Sequence, residues 1–199
     1  PSDPAAAGGG SAGGGNRLLD AVVAARKKAG GIQLTDEEAA TYAGRSADVM
    51  YRLAISRGQV LNVAVAEPTL LSALTDNRAL PPNTPANQTA AEVKLAAKAA
   101  RVVGLLDSAQ AQQTLVDRAV DDKTPDDVKE ALYKAIAVNA KFFGNRLDGP
   151  RVDALRKATV AEKTPGVKVA AGEAFGALNL PAEQVKDLIL GNNPQGGAQ

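Results

Sequence analysis

Residues 123–135, KTPDDVKEALYKA, and residues 163–174, KTPGVKVAAGEA, share the pattern that decides the fold of this chain. In both stretches Lys-Thr-Pro precedes a segment with valine at offset zero and alanine or leucine at offsets three, four and seven. Residues 93–100, VKLAAKAA, repeat the same offsets. Because residues with this spacing lie on one face of an α-helix, the pattern predicts three amphipathic helices.

The interval between the three copies is typical of a repeat made of two helices. Val93, Val128 and Val167 lie 35 and 39 residues apart, within the range of helix-pair repeats. A shorter apolar pattern after each copy predicts a second helix, at 109–120, 150–160 and 181–190. In the two Lys-Thr-Pro turns we expect threonine to cap the next helix and proline to occupy its first position.

The N-terminal part of the chain carries helix signals of its own. An amphipathic pattern beginning at Leu18 stops at Gly30 and Gly31, and the segment from Thr35 to Glu38 has the form of a capping box. A helix is therefore expected from about Asp36. Pro68 predicts the start of a further short helix.

Prolines and glycines divide the chain into five regions. Pro81, Pro82 and Pro85 cannot lie inside a helix, and the two ends lack an apolar face to bury. The expected regions are a tail at 1–15, an N-terminal helical cap with a degenerate repeat at 16–80, a proline-rich loop at 81–90, three helix pairs at 91–190 and a second tail at 191–199.

The acidic turn and helix start around Asp121, Val128 and Lys129, together with Val167-Lys168-x-Ala170-Ala171, resemble the HEAT-like repeats of the bilin-lyase type. In those repeats the inner helix reads roughly Val-basic-x-Ala-Ala-x-x-Ala-Leu after an acidic turn. The resemblance covers about residues 67–190. It implies an all-α fold, a right-handed α–α solenoid of about three to four helix pairs. An antiparallel helical bundle is the alternative architecture.

Composition agrees with helices and excludes several classes of chemistry. Hydrophobic residues make up 45% of the chain but aromatic residues only 3%, which favours thin, closely packed helices. The sequence has no histidine and no cysteine, so a Ser-His-Asp triad, a Cys-His dyad and zinc-thiolate sites are impossible. No catalytic residue, metal or cofactor is predicted.

Four aspartates crowd one turn of the chain, at 121, 122, 126 and 127. Clustered carboxylates suit a hard cation such as Ca²⁺, but the spacing lacks the glycine and the distal glutamate of an EF-hand loop. The alternative is that Asp126 and Asp127 lie in the first turn of a helix, where the macrodipole favours negative charge. The second interpretation is preferred.

Charge and hydropathy limit the kind of partner. The formal net charge is +1, so no broad positive field favours nucleic acid, and no apolar run reaches the roughly 18 residues of a membrane span. The glycine-rich segment at 1–15 indicates a linker, which leans toward an exported or membrane-tethered protein. The compartment and the oligomeric state stay open.

Three lysines follow the leading valines of the three copies. Stacked repeats would align Lys94, Lys129 and Lys168 as a column. The family resemblance implies that such a residue pairs with an acid of an adjacent turn, and Asp122 and Glu162 are placed for an inter-repeat ladder of ion pairs with Lys129 and Lys168. A ligand site formed by the lysine column is the rival interpretation.

Further basic residues on the same helices could line a concave face for an acidic protein partner, and a solvated helix face is the preferred alternative. Lys141 adds to this charge, while Phe142, Phe143 and Phe175 are expected in the core. The residues expected at the partner surface are Lys94, Lys98, Arg101, Lys129, Tyr133, Lys134 and Lys168.

The leading functional hypothesis is a non-catalytic protein-interaction or scaffolding module. A HEAT-like enzyme, such as a bilin lyase or a DNA glycosylase relative, is a second hypothesis. The absence of tryptophan and of a basic cleft counts against the glycosylase. A structural domain of a larger assembly is the third.

Overall fold

The helical patterns of the sequence become α-helices in the computed structural model, which describes residues 36–56, 63–75, 86–183 and 186. These residues form no strand, so the all-α prediction is confirmed. The helices are α1 (Asp36–Ser56), a 3-10 helix (Val63–Ala66), α2 (Glu67–Thr75), α3 (Ala86–Val103), α4 (Ala109–Ala119), α5 (Asp126–Phe143), α6 (Gly149–Ala161) and α7 (Pro165–Ala177). The predicted helix beginning at Leu18, both tails and most of the predicted helix at 181–190 lie outside the described residues.

Local signals place most helix starts correctly. Helix α1 begins at Asp36, and α2 begins at Glu67, directly before Pro68. Helix α3 begins at Ala86, so the predicted loop at 81–90 is too long. The physical reason is that Pro85 is the last proline of that region, and no residue after it excludes a helix.

The two Lys-Thr-Pro turns do not use threonine as the sequence suggested. Thr164 and Pro165 occupy the cap and first position of α7, but the Thr164 hydroxyl bonds to the carboxylate of Asp126 and makes no cap hydrogen bond. Thr124 lies one residue before the cap of α5, and its hydroxyl donates to the carbonyl of Arg118 at 2.7 Å. Both threonines therefore tie a turn to another helix.

The helices contact one another in two rows. Helices α1, α3, α5 and α7 pack in succession as a first row, and α2, α4 and α6 pack in succession as a second row beside it. Each helix of the second row also packs against the helix that follows it in the chain, and α4–α5 and α6–α7 are the most extensive of these hairpins. The expected pairing of each long helix with the short helix after it is therefore displaced by one helix.

The buried stripe follows the repeat pattern in two of the three copies. In α5 the side chains of Val128 and Leu132 are buried, and in α7 those of Val167 and Ala171 occupy the same offsets. In α3 the predicted positions Ala96 and Ala100 are buried, whereas Val93 and Ala97 are only half-buried. The larger buried side chains of α3 belong to Leu95, Val102 and Val103. Burial in the first copy therefore agrees with the predicted stripe at two of its four positions.

A buried amide pair closes one end of the α3–α5 contact. The Asn139 amide donates to the carbonyls of Gly104 and Leu106 at 3.2 and 2.8 Å, and its oxygen accepts from the Gln112 amide at 2.9 Å. A Cβ at Gly104 would lie 2.8 Å from the carbonyl oxygen of Ala135, so the two helices require glycine at this contact. Amide and glycine together set how closely α3 and α5 approach.

The phenylalanines contribute less to the core than expected. Phe142 is 57% exposed, and Phe143 and Phe175 are half-buried. Phe142 lies in the last turn of α5, beyond Ala140, where the buried stripe of that helix ends. The prediction of a core position is therefore wrong for Phe142. Within the described ranges, no helix is long and apolar enough to cross a membrane.

Candidate functional site

A groove of about 480 Å³ lies between α3 and α5. Helix α1 borders it through Tyr51, α3 through Arg101, and α5 supplies most of the lining. The volume falls in the range of ligand-binding clefts. This α3–α5 groove is lined by Tyr51, Arg101, Asp127, Glu130, Ala131, Lys134, Ala135 and Val138.

The apolar part of the α3–α5 groove follows from the spacing of small residues in α5. Ala131, Ala135 and Val138 are separated by four and three residues, so they share one flank of the helix. Alanine side chains at two of these positions leave space beside α3 that larger side chains would fill. The sequence thus builds a shallow apolar floor on one flank of α5.

Arg101 is held at the rim by an aromatic ring. Its guanidinium carbon lies 4.3 Å from the centroid of the Tyr51 ring, a cation–π contact, and the side chain is exposed to solvent. Among the described residues no carboxylate lies within ion-pair distance of Arg101. Stacking occupies one face of the guanidinium and leaves its in-plane N–H groups available.

The remaining charges of the rim are carboxylates and one paired lysine. Lys134 lies 2.6 Å from Glu130, one helical turn earlier in α5, so its charge is compensated. Asp127 lies in the first turn of α5, where the helix dipole favours a carboxylate, as predicted. The rim therefore combines two acidic and two basic side chains around the apolar floor.

Two of the other predicted basic residues join neighbouring helices. Lys98 in α3 lies 2.6 Å from Asp48 in α1, and Lys141 in α5 lies 3.0 Å from Glu173 in α7. Both pairs are partly exposed, and each such pair stabilises the fold by about 0–1 kcal/mol. The expected positive face is thus largely neutralised by carboxylates of the neighbouring helices.

Lys129 and Tyr133 lie in the interior. Lys129 is 8% exposed and its Nζ lies 3.0 Å from Glu162 Oε1, while the fully buried Tyr133 places its hydroxyl 3.0 Å from the same oxygen. Burial, reinforced by the Glu162 carboxylate, raises the pKa of Tyr133. The expectation that these two residues line an exposed face is wrong, because both are buried against the turn that follows α6.

The lysine column does not form. Lys129 pairs with Glu162, but Lys168 and Asp122 are exposed and form no ion pair in the part of the chain that the structure describes. Lys94 is exposed as well, and it forms no ion pair among the described residues. A single buried cross-helix pair takes the place of a repeated ladder.

The sequence interpretation missed Tyr51 and the apolar floor. Tyr51 and Arg101 are separated by 50 residues, and no local pattern connects them. Of the predicted partner-surface residues, the structure brings Arg101 and Lys134 to the α3–α5 groove. Lys94 and Lys168 lie elsewhere on the surface.

A second depression, of about 530 Å³, lies between α1 and the 3-10 helix. It is more apolar, and Val49 and Val65 on its lining are largely exposed. Arg45 stacks on Tyr42 at its border, 5.9 Å from the ring centroid. Across the described residues, no group of three potential ligands lies close enough together to hold a metal ion.

Comparison of the chain with family models, curated proteins and solved structures finds no match.

Proposed function

We propose that this chain is a short HEAT-like α-solenoid that binds a segment of a protein partner in the α3–α5 groove, without catalysing a reaction. The arrangement of helices in two rows supports the solenoid, because each hairpin packs on the next along both rows. Stacked helix pairs present extended surfaces that suit protein recognition. The repeated stripe in α5 and α7 supports the assignment to HEAT-like repeats.

The α3–α5 groove carries the functional part of the proposal. Its floor is apolar, formed by Ala131, Ala135 and Val138, and its rim is charged. An apolar centre surrounded by polar groups is the usual anatomy of a protein-binding surface, since burial supplies free energy and the rim supplies specificity. A peptide side chain of moderate size fits a space of about 480 Å³.

The experiment is a selection of short random peptides displayed on phage against the purified chain. Binding of the enriched peptides is then measured on two variants. Ala131→Met fills the floor of the α3–α5 groove, and Ala161→Met makes the same change at the exposed end of α6, in the other row of helices. Methionine favours helix almost as well as alanine, so both variants should fold, as circular dichroism can verify.

The proposal predicts that Ala131→Met weakens binding of the enriched peptides at least about tenfold, which corresponds to about 1.4 kcal/mol. Ala161→Met should change affinity less than about twofold. Enriched peptides that bind a folded Ala131→Met variant as tightly as the unmodified chain would contradict the groove as the binding site. Failure to enrich any peptide would count against the binding function itself.

A further inference from the structure

Arg101 is the rim cation whose charge the described residues leave uncompensated. Lys134 is paired with Glu130, whereas Arg101 lies over the ring of Tyr51 and forms no ion pair among the described residues. Stacking on an aromatic ring orients the guanidinium and reduces the side-chain freedom that is lost on binding. An oriented guanidinium with free in-plane N–H groups is a receptor for a planar anion.

Carboxylate is the anion that matches this geometry. Guanidinium and carboxylate form two parallel N–H···O bonds, which gives both strength and a fixed orientation. Asp127 and Glu130 line the same groove and would repel a ligand of high negative charge. The rim therefore suits one carboxylate near Arg101 better than an acidic cluster or a polyphosphate.

The apolar floor beside Arg101 adds a second requirement. Ala131, Ala135 and Val138 offer no hydrogen-bonding side chain, so the part of the ligand that covers them must be apolar. Because alanines form much of this floor, an aliphatic side chain can approach the helix closely. The two requirements lie within a single groove, so adjacent parts of one ligand must satisfy them.

We infer that the partner segment carries one acidic residue, whose side-chain carboxylate binds Arg101, close in sequence to an aliphatic residue that packs on Ala131, Ala135 and Val138. The inference rests on the proposed function and specifies the chemistry of its ligand. It assigns Arg101 as the specificity-determining residue and Tyr51 as the residue that positions it.

The test uses the peptides enriched on the unmodified chain, synthesised with each acidic residue intact or changed to its amide, and with a free or an amidated carboxyl terminus. Affinities are measured by fluorescence anisotropy on the unmodified chain, on Arg101→Gln and on Lys141→Gln. Lys141 is the matched control, because it is an exposed lysine that pairs with Glu173 outside the groove, and its removal changes the net charge equally.

The inference predicts a specific coupling. Changing the acidic residue to its amide should weaken binding to the unmodified chain about tenfold, but binding to Arg101→Gln less than about twofold. On Lys141→Gln the tenfold preference should persist. Tyr51→Leu should weaken the preference without abolishing it, since the positive charge remains while its orientation is lost.

Three results would overturn the inference. The first is that Ala131→Met weakens binding of the enriched peptides, whereas changing their acidic residues to amides does not. This result would leave the proposed function intact. The second is an acid preference that survives in Arg101→Gln. The third is loss of binding on amidation of the carboxyl terminus alone, which would identify a chain terminus as the ligand of Arg101.

Discussion

Gln112 offers the sharpest test of how the fold is held together, through the change Gln112→Leu. The side chain is fully buried, and its amide nitrogen donates to Asn139 Oδ1 at 2.9 Å and to the carbonyl of Gly144 at 3.1 Å. Its oxygen accepts from the backbone N–H of Arg146 at 2.6 Å. Leucine has a similar volume, so the change removes three hydrogen bonds and leaves little empty space.

The cost depends on which partners water can reach. Gly144 and Arg146 are exposed, so water can replace the lost bonds there and each costs about 0.5–1.5 kcal/mol. Asn139 is fully buried, and leaving its oxygen without a donor costs about 1–3 kcal/mol. Burying a fully apolar side chain offsets part of this loss. On the basis of the net contributions of buried hydrogen bonds, Gln112→Leu should therefore lower the free energy of unfolding by about 2–3 kcal/mol.

Urea unfolding followed by circular dichroism measures this loss. With a slope of about 2 kcal/mol per molar urea, the midpoint should fall by about 1–1.5 M while the slope stays the same. Gln110→Leu is the matched control, because Gln110 is exposed on the same helix, and its midpoint should move by less than about 0.3 M. Equal midpoints for the two variants would refute the assignment of Gln112 to a buried network.

Two further stability predictions follow from the packing and the titration of single residues. Gly104→Ala should lower the free energy of unfolding by about 1–3 kcal/mol, because the new Cβ would lie 2.8 Å from the Ala135 carbonyl oxygen. Gly172→Ala, in open space on α7, should raise it by about 0.5–1 kcal/mol, and thermal melts with the opposite order would contradict the packing. Burial and the Glu162 carboxylate raise the pKa of Tyr133 above its usual value near 10. As pH rises, the tyrosine therefore loses its proton in the unfolded chain before it does so in the folded chain. The contribution of Tyr133 to stability is complete below about pH 10 and declines as pH rises further. In urea titrations at increasing pH, the free energy of unfolding should decline less steeply for Tyr133→Phe than for the unmodified chain, by up to about 1.4 kcal/mol per pH unit. Identical slopes for the two proteins would exclude this role of Tyr133.

Local interactions made much of the helical structure predictable from the sequence. A capping pattern precedes the start of α1 at Asp36, and Pro68 is the second residue of α2, which begins at Glu67. In the stripes that start at Val128 and Val167, every predicted position is buried except Ala131, which is half-buried. Each signal depends on residues within about two turns of the same helix, which is why periodicity and capping are enough to identify it.

Tertiary contacts decided the register of α3. Alanines at 96, 97, 99 and 100 make several faces of this helix almost equally small and apolar, so periodicity does not distinguish a stripe beginning at Val93 from one beginning at Leu95. The neighbours do distinguish them, because α3 packs against α1 on one side and α5 on the other. The stripe from Leu95 supplies the larger side chains that these contacts bury.

The candidate site was only partly predictable, for a related reason. Arg101 and Lys134 were expected at a partner surface, but their surroundings come from helices distant in sequence, and Tyr51 reaches Arg101 across 50 residues. Lys129 and Tyr133 look exposed in the sequence and are buried in the structure, because Glu162 compensates the charge of one and accepts a hydrogen bond from the other. The sequence by itself determined the helices and most of their apolar faces, since those depend on near neighbours. Only the packing of the rows decided which polar side chains face the groove and which are buried, since that depends on partners about thirty to fifty residues away.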